Sequence, residues 1–124
     1  MKLQNDFYRI LETTPTENGL SVLVTIDKNH AIFEGHFPNH PVTPGVCTMQ
    51  IIKELSENHL GRNLQLKMAR NVKFMAIINP QENEDVRFDL TFEPTEEAAD
   101  IVVKGTVLIG ENPALKFGGV FKTL

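Results

Sequence analysis

Residues 30–50 read HAIFEGHFPNHPVTPGVCTMQ, and the organisation of the chain follows from this stretch. Between residues 29 and 45 there are three prolines (Pro38, Pro41, Pro44) and two glycines (Gly35, Gly45). That density breaks both helix and strand and predicts an irregular segment, of a length that compact domains usually keep for function. From Val46 the pattern changes. Val46, Met49, Ile52 with Ile51, Leu55 and His59 recur at helical spacing, which predicts a helix over residues 46–60. Pro44 suits the first turn, where its missing N–H costs nothing, and Gly61 suits the C-terminal cap. The apolar stripe predicts a helix buried within the fold, with Met49, Ile52 and Leu55 inaccessible.

Working outward, the flanks read as strands. Residues 6–12 mix Phe7, Tyr8, Ile10 and Leu11 and predict a first strand; residues 13–19, TTPTENG, predict a turn. Residues 20–26 alternate and are rich in β-branched side chains, so a hairpin is expected. Beyond Arg62, alternation at Leu64, Leu66 and Met68, and again at Val72, Phe74 and Ala76, predicts strand over residues 64–77. Three more strands are expected over residues 86–92, 100–109 and 114–121, the last two joined by the turn at residues 110–113. The order β-β-α-β-β-β-β predicts an α+β fold, an antiparallel sheet of about six strands wrapped around one central helix.

The chain of 124 residues forms one domain, spanning residues 1–124, and is large enough to need no disulfide or metal staple. Hydrophobic residues at 41% and charged residues at 23% exclude disorder. A net charge of -4 argues against nucleic acid as a partner. No apolar run is long enough to span a membrane, and the first residues lack a secretory signal, so a cytoplasmic protein is expected. The lone Cys47 excludes an internal disulfide and reads as a small core residue; Met49, Met68 and Met75 read as core filler. Charge is uneven. Residues 53–73 hold five basic and two acidic residues, whereas residues 82–100 hold eight acidic residues and Arg87 alone of opposite sign.

The chemistry points to the junction of loop and helix. His36 and His40 lie in a proline-stiffened loop that runs into the helix N-terminus, where backbone N–H groups and the helix dipole suit a developing oxyanion. The N–H of Gly45 or Val46 would carry it, and an imidazole nearby could move a proton at neutral pH. His30, His40 and His59 read as structural. Pro38 and Pro41 prevent a helical turn from pairing His36 with His40 as zinc ligands, and nothing completes a metal site, so neither metal nor cofactor is expected.

Residues 33–46, FEGHFPNHPVTPGV, resemble the signature F-x-G-H-F-P-x-x-P-[IV]-M-P-G-V of the 3-hydroxyacyl-acyl carrier protein dehydratases, a hot-dog-fold family, with Thr43 in place of Met. The resemblance implies a single hot-dog domain and water elimination from 3-hydroxyacyl thioesters in fatty-acid, lipid or polyene synthesis. It implies that His36 is the catalytic histidine, that the Gly45 N–H binds the oxyanion, and that the Val42 carbonyl orients the histidine. The family's catalytic carboxylate, fourteen residues after the histidine, falls on Gln50. A carboxamide can donate and accept hydrogen bonds but cannot hand over a proton. Glu54, one helical turn on, and Glu34, two residues before His36, are the candidates to replace it. The resemblance further implies a homodimer or higher homo-oligomer, with the histidine and the acid position contributed by opposite subunits. The partner would be acyl carrier protein, whose acidity the basic residues between Lys53 and Lys73 would complement. Two alternatives stand beside this reading: a hot-dog thioesterase, and a non-catalytic subunit that binds acyl chains and has lost its acid.

Overall fold

The computed structural model describes residues 2–35, 42–82 and 85–124. Six strands form one antiparallel sheet: β1 (Tyr8–Thr16), β2 (Gly19–Ile26), β3 (Leu64–Phe74), β4 (Asp85–Pro94), β5 (Asp100–Ile109) and β6 (Asn112–Thr123), with the helix α1 (Gly45–Leu60) between β2 and β3. The spatial order is β1-β2-β4-β5-β6-β3, which leaves β1 and β3 at the two edges. Alternation supplies the inner face. Leu20, Val22, Val24 and Ile26 of β2, Val86, Phe88 and Leu90 of β4, and Val103 and Val107 of β5 are buried together with Ile51, Ile52 and Leu55 of α1. The helix therefore lies in the core, and single-domain α+β architecture with one central helix is what the sequence predicts.

The helix starts one residue earlier than expected, with Pro44 as its N-cap, and Gly61 ends it in the left-handed conformation (φ 67°), its N–H donating to the Glu57 carbonyl. Only glycine adopts that conformation at little cost. Ile52 and Leu55 are buried as expected, but Met49 is half-buried.

Other boundaries differ from the sequence reading for identifiable reasons. Residues 13–16 extend β1 rather than turn, with Pro15 opposite Leu20 and the reversal confined to Glu17 and Asn18. A proline is tolerated there because β1 is an edge strand and its outward N–H has no ladder to complete. Residues 6 and 7 precede β1 and belong to an N-terminal segment that folds back over α1, burying Leu3 and Phe7. Met68 and Met75 are not core filler: they are 53% and 36% exposed. Met68 belongs to the β3 edge and Met75 follows its last residue; Leu64 alone of the strand is buried and the register against β6 shifts twice, at Leu66/Met68 and Ala69/Asn71. Irregular pairing of this kind breaks the alternation that would otherwise assign one face to the core.

Candidate active site

The N-terminus of α1 opens beside the outer end of β3. Its N-cap residue, Pro44, makes no side-chain capping hydrogen bond and supplies the carbonyl that accepts from the N–H of Cys47 (2.9 Å) and Thr48 (3.2 Å). The N–H groups of Gly45 and Val46 precede that first turn and are the ones a helix leaves for an external acceptor. Val46 is 73% exposed, so this end faces outward. The Phe74 ring stands over it: a Cβ added to Gly45 would lie 2.7 Å from Phe74 Cζ. Here the glycine makes room for an aromatic ring as well as for a ligand. Val42, half-buried, and Thr43, buried, lead into the helix, and the Thr43 N–H is tied to the Ile78 carbonyl at 2.9 Å. These residues, with Thr48, Phe74 to Ile78, Ala114 and Leu115, line a cleft of about 330 Å³, within the range of roughly 300–1,000 Å³ usual for small-molecule sites. His36 and His40 lie outside the described residues.

Gln50 is on the second turn of α1, and its Nε2 donates to Glu54 Oε2 at 2.8 Å. Glu54 is 3% exposed and is the centre of a closed arrangement. Its Oε2 also accepts from the Leu3 N–H at 2.7 Å, and its Oε1 from the Gln4 N–H at 2.8 Å and the Tyr8 hydroxyl at 3.1 Å. Every partner is a donor, and four hydrogen bonds fill the usual acceptor capacity of a carboxylate. Glu54 thus fastens the N-terminal segment to the helix. Because a carboxylate only accepts, it also fixes which end of the Gln50 carboxamide faces it. Burial first, then the Glu54 charge, pushes the Tyr8 phenol well above its ordinary value. A charged residue on the buried stripe, Glu54 between Ile51 and Leu55, is the sequence signal for this arrangement: such a side chain must find partners.

The remaining candidates have structural surroundings. Cys47 is buried, and burial pushes its thiol above the ordinary value, away from a nucleophilic thiolate. His30 Nδ1 accepts from the Ile32 N–H at 3.1 Å, which leaves the proton on Nε2 for Asp6 Oδ2 at 3.1 Å, while the ring meets Phe7 edge-on. His59 stacks on Phe92 with ring centres 5.0 Å apart. Glu34 is exposed and follows the short 3₁₀ turn Ala31–Phe33. A larger concavity, lined in part by Arg87, Asp89 and Lys104, shares no lining residue with the cleft at the helix end. No helix among the described residues is long and apolar enough to cross a membrane.

A profile of the ApeI-like family, described as ApeI dehydratase, matches residues 12–106. The chain belongs to the ApeI-like dehydratase family. Among curated relatives it is similar to the 3-hydroxyacyl-[acyl-carrier-protein] dehydratase FabZ of Lactiplantibacillus plantarum, with 32% identity over 81 residues, 58% of this chain and 53% of that one. The FabZ of Levilactobacillus brevis is 28% identical over 114 residues, 86% of this chain and 74% of that protein. The chain thus spans about half the length of the first of these relatives. Among solved structures, the dehydratase heterocomplex ApeI:P from Xenorhabdus doucetiae superposes with a TM-score of 0.67 at 17% identity, covering 91% of this chain and 96% of that one. The last likeness concerns the fold, which is the hot-dog fold in this ApeI-like protein as in its neighbours.

Proposed function

We propose that this protein eliminates water from 3-hydroxyacyl thioesters carried on acyl carrier protein, giving the trans-2-enoyl thioester. The observation that carries the reading is the outward-facing N-terminus of α1, which begins within the last two residues of the signature segment 33–46. In this mechanism the thioester carbonyl oxygen accepts from the Gly45 N–H, with Val46 beside it, so negative charge on the oxygen is stabilised and the α-carbon becomes acidic. His36, held by the Val42 carbonyl, takes the α-proton. The electron pair of the broken C–H bond forms the double bond, the C3–O bond breaks, and His36 returns the proton to the departing hydroxyl, which leaves as water. Gln50 transfers no proton; its carboxamide, oriented by Glu54, holds the hydroxyl or the water in place.

The partner is a second copy of the chain, joined through the β3 edge, where Met68, Val72 and Phe74 are exposed on a strand paired on one side alone. An apolar edge left open is an aggregation hazard that pairing removes. The basic residues between Lys53 and Lys73 favour encounter with an acidic carrier protein, and the reaction belongs to the cytoplasm, with no cofactor and no nucleic acid.

Incubation with a 3-hydroxyacyl thioester should produce enoyl absorbance without free thiol, and His36→Ala should abolish it. Free thiol instead would establish a thioesterase, and neither product with retained acyl carrier protein binding would establish a non-catalytic binding subunit. Sedimentation at micromolar concentration should give at least a dimer; a stable monomer would overturn the edge pairing.

A further inference from the structure

Thr43 is 6% exposed, yet its hydroxyl has no hydrogen-bond partner in the structure, the one such side-chain atom found among the described residues. A buried hydroxyl left unpaired costs stability, because it has given up water and gained nothing. Such groups in folded proteins call for a reason. Here Thr43 is one of the residues that line the cleft at the α1 N-terminus, together with Gly45, Thr48 and Phe74. Thr43 is only two residues from Gly45, so their Cα atoms are within about 7 Å of one another. Its backbone is pinned to Ile78 on one side and runs into Pro44 and the helix on the other, so the residue as a whole cannot move out to solvent without unmaking that attachment.

We propose that the Thr43 hydroxyl is a substrate-binding group: it hydrogen-bonds a polar substituent of the thioester ligand that lies two carbons from the thioester group. This rests on the reading of the site as one for acyl thioesters. Two parts of such a ligand have that chemistry. The 3-hydroxyl is two carbons from the carbonyl carbon on the acyl side, and the first amide of a pantetheine arm is two carbons from the sulfur on the thiol side. A hydroxyl donates and accepts, so Thr43 serves either. Binding supplies the partner the free protein lacks, so the interaction adds to affinity without breaking an existing hydrogen bond. Thr43 thereby selects for a polar ligand over a purely hydrocarbon one.

The test compares Thr43→Val, which keeps shape and removes the hydroxyl, with Thr43→Ser, which keeps the hydroxyl. Thr43→Val should melt a few degrees higher than the parent, because the orphan group is gone. It should bind 3-hydroxyacyl-pantetheine roughly 3–10-fold more weakly, and Thr43→Ser should restore the affinity. Binding is measured by calorimetry on the full chain at a pH where turnover is slow. Saturated acyl-pantetheine, lacking the 3-hydroxyl, and 3-hydroxyacyl ethyl thioester, lacking the amide, identify the source. The one that binds both proteins equally has lost the group Thr43 contacts. Equal binding of all three thioesters to parent and Thr43→Val overturns the proposal, and does so even if the parent makes enoyl product. A lowered melting temperature for Thr43→Val also overturns it, since the hydroxyl would then be paired in the free protein. If the parent binds no thioester, the thioester reading itself falls and the role of Thr43 falls with it. Thiol release in place of enoyl formation, with Thr43-dependent binding intact, removes only the dehydratase reading.

Discussion

Two buried polar side chains, one within α1 and one just before it, are in opposite states. Glu54, one turn beyond Gln50, receives four hydrogen bonds; Thr43, just before the helix, receives and gives none through its side chain. Both are almost fully removed from water. A buried carboxylate without partners would be among the costliest groups a fold can hold, so Glu54 is surrounded by donors from three parts of the chain. A hydroxyl is cheaper to leave unpaired, so a site can keep one in reserve for a ligand. Saturation marks where the molecule is closed upon itself, and a missing partner marks where it is open to something else.

The largest effect should come from emptying the closed side. Glu54→Leu removes the acceptor for the Leu3 and Gln4 N–H groups, the Tyr8 hydroxyl and Gln50 at once. Loss of one partner from a buried charged network costs about 3–5 kcal/mol, and denaturant unfolding should show it, with the N-terminal segment the first to become accessible to protease. A cost below about 1 kcal/mol, the usual net value of a single hydrogen bond, would mean that the segment is held by Leu3 and Phe7 packing instead.

Gln50→Glu tests the junction between the two sides. It places a second carboxyl group where the carboxamide now lies 2.8 Å from Glu54 Oε2. Two carboxylates at that distance cannot both ionise readily, so the pair holds a proton and its upper pKa rises. The folded state then binds more protons than the unfolded chain above the ordinary carboxylate range. Stability is therefore greatest in mild acid and falls as pH rises through the raised value. Unfolding midpoints between about pH 5 and pH 8 should drop more steeply for the variant than for the parent. The protonated carboxyl is also the general acid the site lacks, so enoyl formation should increase by about 10–100-fold, the lower part of the usual range for such a group. An unchanged pH dependence would show that side chain 50 has turned away from Glu54. An unchanged rate, with His36→Ala inactive, would leave the single-base mechanism standing.

Tyr8→Phe is the mildest change, with a loss of about 1 kcal/mol for one hydrogen bond near neutral pH. Its value lies in alkali. The folded state raises the phenol pKa, so the contribution of Tyr8 is constant below the ordinary value of about 10 and is lost as pH rises above it, where the unfolded chain ionises and the folded one does not. Tyr8 is the one tyrosine in the sequence, so tyrosinate absorbance reports it alone. Absorbance should appear together with unfolding in the parent. Ionisation well before unfolding would mean that the phenol is not held by Glu54.

The strands and the helix were legible because burial on one face imposes a period, two for β2, β4 and β5 and close to four for α1. Met68 and Met75 show where this stops. Met68 keeps the phase of a core strand, but the edge position and irregular register of β3 leave it exposed, and Met75 falls just beyond the strand.

What the sequence by itself determined, then, is the order of elements, the buried stripe of α1, its capping by Gly61, and its start at the end of the proline-rich stretch. Each depends on residues a few positions apart. The tertiary structure alone decided that Glu54 binds the N-terminal segment fifty residues earlier and orients Gln50, that Phe74 covers Gly45, and that Thr43 is buried without a partner. Hydrogen-bond saturation depends on what the fold brings within 3 Å, and no local pattern records which distant donors arrive and which do not.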